Sequence, residues 1–104
     1  MFDYIFSRDV AEGLIKIAET VEKSNVINLG TGTARRIEDV ITLISKQIAD
    51  AKIKELKSQY LFEGSCADIT ELIKLTGWQP DTTLEEGIKK IVAYEVEINA
   101  QTQR

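Results

Sequence analysis

The run Val26-Ile27-Asn28-Leu29-Gly30-Thr31-Gly32 decides the fold class. Its first four residues are mostly apolar and are flanked by turn-formers, Lys23-Ser24-Asn25 before and Gly30-Thr31-Gly32-Thr33 after. That pattern predicts a short buried strand followed by a tight turn. A strand apolar at nearly every position suits a parallel sheet, where both faces are covered. Apolar residues at helical spacing lie on either side of it. The expected class is therefore α/β, helix-rich with few strands.

Upstream, Ser7 or Asp9 can cap a first helix carrying Val10, Leu14, Ile15 or Ile17, Ala18 and Val21, ending near residues 23–25. Downstream, Ile37, Val40, Ile41, Ile44 and Ile48 form one stripe of a second helix. Residues 49–57 can either extend that helix or run irregularly, and residues 59–63 allow a short second strand. Asp68 is a candidate N-cap for a short helix bearing Ile69, Leu72, Ile73 and Leu75, with Gly77 at its C-terminal end. Thr83 and Glu86 form a capping-box pattern for the last helix, whose apolar face is Leu84, Ile88, Ile91 and Val92. One domain over 1–104 is expected, with residues 99–104 as a fraying polar tail.

Composition narrows the function. The 104 residues are 43% hydrophobic and 29% charged, with a formal net charge of −4. The cations are interleaved with carboxylates rather than clustered, which argues against a nucleic-acid footprint. The chain has no histidine, and Cys66 is its one cysteine. A disulfide within the chain, a multi-thiolate metal site and the commonest general base are all excluded. No apolar run reaches membrane-spanning length. A cytoplasmic setting without membrane or metal is the expectation.

Each chemistry-bearing candidate also has a plain structural reading. Gly30-Thr31-Gly32 between a strand and a helix can present backbone N–H groups to an anion. The dinucleotide loop needs a third glycine, however, and position 35 is Arg35. A tight turn is the preferred reading, with a small anion-binding module using Arg35 and Arg36 as a weaker alternative. Glu38, Asp39, Glu85 and Glu86 fall in first helical turns, where the helix dipole accounts for them. Cys66 is read as a small buried residue and Trp78 as an apolar plug against a neighbouring helix. Tyr4, in the run Phe2, Tyr4, Ile5, Phe6, can either stack on a ligand or pack in the core.

Three motifs in order carry a resemblance. Asp3, Tyr4, Ile5, Phe6, Arg8, Asp9, Val10 and Ala11 are similar to R-D-(Y/F)-(I/V)-(Y/H)-V-x-D-V-A. Asn28 to Gly32 match N-L-G-T-G. Ala67, Asp68, Thr70, Gly77, Trp78, Pro80, Leu84, Glu85, Glu86 and Gly87 are similar to A-D-x-S/T-K…L-G-W-x-P…L-E-E-G, with Glu71 at the lysine position. Spread over nearly the whole chain, they resemble the C-terminal part of an extended short-chain dehydrogenase/reductase of the NAD-dependent sugar-nucleotide epimerase/dehydratase family.

The resemblance implies the last strand of a Rossmann-type sheet plus a small substrate lobe. It implies a parent activity of epimerising or dehydrating a nucleotide sugar through NAD. The family's G-x-x-G-x-x-G loop and Tyr-x-x-x-Lys pair have no counterpart here, so the isolated chain is expected to be inactive and to bind no cofactor. Phe2 stands where an arginine usually contacts the diphosphate, and Ser58 and Leu61 fall near two further lost contacts. Of the usual substrate contacts Tyr4 alone remains, aligned with a residue that touches the nucleotide moiety. A nucleotide sugar would then be met only through a complete parent protein. The competing expectation is a stand-alone structural or interaction module. Either way, the open strand predicts a homo-oligomer or a partner lobe.

Overall fold

The computed structural model describes residues 1–23, 25–57 and 64–102. They form four helices: α1 (Ser7–Thr20), α2 (Ile37–Gln47), α3 (Thr70–Thr76) and α4 (Leu84–Thr102). Helix α1 packs on α3, and α2 on α4.

The first helix starts without a side-chain cap. Phe6 is its N-cap residue, and the N–H groups of Asp9 and Val10 donate to the Phe6 carbonyl. Neither Ser7 nor Asp9 caps, because Asp9 already lies in the first turn and its carboxylate reaches across to another segment. In α2, the Asp39 carboxylate turns back to accept the Arg36 N–H at 3.3 Å. The helix stops at Ile48, so residues 48–57 run irregularly. In α3, Asp68 accepts the N–H and hydroxyl of Thr70 at 3.1 and 2.6 Å, one residue ahead of the expected capping geometry. Gly77 ends α3 in the left-handed region at φ 68°, as its position predicted. Thr83 Oγ1 accepts the Glu86 N–H at 3.1 Å to open α4. That helix extends through Thr102, into the segment read as a fraying tail.

The strand expected at residues 26–29 does not form among the described residues. A ladder needs backbone hydrogen bonds to a neighbouring strand, and the segment beside residues 28–32, residues 65–69, meets it through side chains such as Asn28, whose Nδ2 donates to the Asp68 carbonyl at 3.4 Å. The pairing that does occur is at the N-terminus. Phe2 and Arg35 exchange two backbone bonds of 3.0 and 2.8 Å, antiparallel. On its other side, residues 1–3 bridge to Ser65, parallel, through bonds of 3.0 Å. The second expected strand, at residues 59–63, lies outside the described residues.

The fold is open. Its radius of gyration is 16.8 Å, whereas a compact chain of this length has about 13 Å. Its extents of 49 × 42 × 19 Å describe a slab. Leu72 and Ile88 are the buried apolar side chains among the described residues. Helix α1 turns Gly13 inward, half-buries Val10 and Ile17, and leaves Leu14 and Ile15 exposed. Its apolar residues thus lie on two faces, one of them uncovered.

Glycine at position 13 is a packing requirement. A Cβ there would stand 2.7 Å from Leu29 and 2.8 Å from the Trp78 ring. Trp78 therefore plugs α1 as expected, although it is half-buried rather than fully enclosed. Thr76 holds it in place, accepting the Trp78 N–H at 3.1 Å while donating to the Leu72 carbonyl at 2.6 Å.

Candidate functional site

The N-terminal segment 1–6 joins the two helix pairs, and Asp3 is its anchor. Its carboxylate accepts the N–H of Thr31 at 3.1 Å, of Gly32 at 3.0 Å and of Ala67 at 3.3 Å, together with the Thr31 hydroxyl. Partial burial pushes this carboxyl up. The Thr31 hydroxyl and the N–H groups of Gly32, Thr31 and Ala67 more than offset that and hold it below the ordinary 3.8. Gly30 permits the approach, since a Cβ there would lie 2.7 Å from Asp3 Oδ2 and 2.6 Å from the Ala67 Cβ.

This arrangement bears on phosphate chemistry. The Gly-Thr-Gly turn does form a cradle of backbone N–H groups, with Gly32 at φ 79°. The anion seated in it is the chain's own Asp3. A dinucleotide phosphate would meet both occupied donors and a like charge, so these residues do not fit a cofactor. Arg35 is equally engaged. It pairs with Glu85 at 3.1 Å and Asp39 at 3.6 Å, tying the α2 and α4 N-termini together. Its guanidinium is stabilised first by the Glu85 bond.

Tyr4 lies half-buried beside these anchors, its ring edge-on to Phe2 at 6.4 Å. It lines a groove of about 490 Å³ between α2 and α4, with Phe6, Val40, Ile44, Ile88 and Val92 among the walls. Glu95 is the one charged residue in the lining, so the groove itself offers no cation for a diphosphate. Lys90 stands nearby over the Phe6 ring at 5.6 Å.

Other candidates separate from this site. Cys66 is exposed, contrary to the buried reading, because the 64–67 segment runs along the surface once Ser65 has paired with residues 1–3. Asp9 is 1% exposed and accepts the Thr82 N–H and hydroxyl, each at 3.1 Å, clamping α1 to the turn before α4. Asp9, Glu12 and Asp81 lie within 4.8 Å of one another. Thr82 engages Asp9, and Arg8 lies 3.3 Å from Glu12. Ser58 and Leu61 lie outside the described residues.

The roles of Asp3 and Asp9 were not legible from residue type and spacing alone. Both sit in the first motif of the resemblance, but their hydrogen-bond partners are tens of residues away. The one local signal missed was Gly13, a glycine in a helix interior, which often marks close backbone approach.

No protein-family model matches the chain. Individual relatives do. A trifunctional UDP-glucose 4,6-dehydratase/UDP-4-keto-6-deoxy-D-glucose 3,5-epimerase/UDP-4-keto-L-rhamnose-reductase of Arabidopsis thaliana is 32% identical over 90 residues, covering 84% of this chain and 14% of that protein. The UDP-glucuronate 4-epimerase of Thermodesulfobacterium geofontis is 29% identical over 102 residues, 91% of this chain and 30% of the relative. In fold, a Bifidobacterium longum UDP-glucose 4-epimerase solved with NAD+ and UDP matches with a TM-score of 0.76 at 24% identity, over 91% of this chain and 30% of that one. RMD from Pseudomonas aeruginosa, solved with NADPH, matches with a TM-score of 0.75 at 20% identity, over 88% and 31%. The chain thus spans less than a third of each of these proteins. Its likeness is to the C-terminal part of the extended short-chain dehydrogenases/reductases, the NAD-dependent sugar-nucleotide epimerase/dehydratase family.

Proposed function

We propose that this chain serves as the substrate-lobe portion of a nucleotide-sugar epimerase or dehydratase, in a cytoplasmic setting, and is not catalytic by itself. The observation that carries this reading is the coverage. Relatives that act on UDP-sugars match some nine-tenths of this chain, yet the match takes in 30% of the UDP-glucuronate 4-epimerase. The open slab with Leu14, Ile15 and the α2–α4 groove uncovered is what a lobe looks like apart from its complement.

In this reading Tyr4 faces the nucleotide moiety, its ring supplying a flat apolar surface for the base. The diphosphate clamp, the dinucleotide loop and the proton-transferring pair come from elsewhere. With Asp3 filling the Gly-Thr-Gly cradle, the chain itself is assigned no cofactor.

Ligand-observed NMR with UDP tests the assignment. Weak binding, with Kd of about 1 mM, should be lost in Tyr4→Ala. Calorimetry with NAD+ should show no heat of binding. UDP binding unchanged by Tyr4→Ala, or micromolar binding of NAD+, would overturn the reading.

A further inference from the structure

We infer that Asp3 is a latch: its carboxylate is an internal ligand in a carboxylate seat that the fold assembles without it, and a free carboxylate takes the same seat once the side chain is removed. The seat is built from two segments far from Asp3 in sequence. Thr31 and Gly32 supply donors from one, and Ala67 from the other. The donors divide between the two oxygens. Oδ1 receives the Thr31 hydroxyl, Oδ2 receives the N–H groups of Gly32 and Ala67, and the Thr31 N–H lies 3.1 Å from both. A planar two-oxygen anion is the shape this arrangement fits.

Contacts that do not involve Asp3 hold the seat together. The Thr33 N–H donates to Thr31 Oγ1 at 3.2 Å, which turns the hydroxyl proton toward the carboxylate. Gly32 lies against Ile69, 3.2 Å from where a Cβ would stand. Asn28 Nδ2 donates to the Asp68 carbonyl at 3.4 Å, joining the two segments a second time. The N-terminal segment is likewise held on both sides by main-chain bonds, between Phe2 and Arg35 and between residues 1–3 and Ser65. Removing the Asp3 side chain therefore leaves the seat standing and empty. A cavity of about 300 Å³, lined by Asn28, Leu29, Gly30, Ser65, Cys66 and Ala67, borders it and gives a small anion access. The donors to Asp3 are neutral, so an anion there is held by directed hydrogen bonds rather than by an opposite charge.

The latch does not rest on the substrate-lobe reading, because it concerns the cradle and not the groove that Tyr4 lines.

Chemical rescue tests it. Asp3→Ala should lose urea stability in chloride and regain part of it in formate at matched ionic strength. For an apparent Kd of about 0.1 M, the midpoint should rise saturably, by about 1 M urea at about 1 M formate. The amide protons of Thr31, Gly32 and Ala67 should move downfield along one binding curve. Asp3→Asn keeps the seat filled with its own amide, so formate should move its midpoint no more than chloride does. If Asp3→Ala does not fold in chloride, formate should restore its far-UV circular dichroism along the same curve. An equal effect of chloride, an equal gain in Asp3→Asn, or Thr31, Gly32 and Ala67 amides that ignore formate would each overturn the inference. So would an Asp3→Ala chain that stays unfolded in formate.

Discussion

Replacing Asp3 by alanine should cost this chain much of its stability. The carboxylate receives three backbone N–H groups and one hydroxyl, from Thr31, Gly32 and Ala67. It thereby fastens the N-terminal segment to two others that are distant from it in sequence. A hydrogen bond to a charged acceptor contributes about 1.5–3 kcal/mol, and a fully buried set would sum to far more. Asp3 is half-buried, so water replaces part of what is lost and screening reduces the remainder. A loss of about 2–4 kcal/mol follows. With a urea m-value near 1.3 kcal/mol/M for a chain of this size, the midpoint should fall by about 2 M. Asp3→Asn should do little better, since its amide turns a donor toward N–H groups that need an acceptor.

Acid provides the second readout. The Asp3 carboxyl titrates below its ordinary 3.8 in the folded chain. The unfolded chain therefore takes up this proton first as pH falls. The stabilisation is complete above about pH 5, declines through the unfolded pKa and is gone below the folded one. The gap in urea midpoint between the wild type and Asp3→Asn should accordingly narrow from about pH 5 downward. Far-UV circular dichroism across a urea series at several pH values makes the measurement. A midpoint shift for Asp3→Ala below about 0.3 M, or a gap that does not change with pH, would refute the argument.

Core truncation should follow burial rather than the apolar pattern alone. Leu72→Ala and Ile88→Ala should each cost about 2–5 kcal/mol, whereas Leu84→Ala, at a half-buried position, should cost less and Glu85→Ala should barely move the midpoint. Two glycines should fail for different reasons. Gly13→Val should overpack the contact with Leu29 and Trp78, costing about 1–3 kcal/mol and shifting the Trp78 emission. Gly77→Ala meets no atom within 4 Å, so its cost of about 1–2 kcal/mol should come from the left-handed backbone alone, with the emission unchanged.

Residue type and spacing alone determined the helices. Apolar periodicity placed α1, α2 and α4. Asp68 and Gly77 marked the two ends of α3 to within a residue and Thr83 the start of α4, because caps act within a few residues and are written locally, whereas the end of α4 carried no such mark and the helix runs on through Thr102. Composition excluded disulfides and histidine chemistry outright. The order of three motifs carried the family resemblance.

Tertiary structure decided the rest, because the deciding contacts join residues far apart in sequence. Residues 26–29 have a strand's composition, but a strand exists only through backbone bonds to its neighbours, and none of the described segments supplies them. Asp3 reads as an ordinary acid until folding seats it in the Gly-Thr-Gly turn, where it takes the place an external anion would need. Gly13 reads as a weak point in a helix until Trp78 arrives against it. Cys66 reads as a buried small residue until the pairing of residues 1–3 with Ser65 holds its segment at the surface.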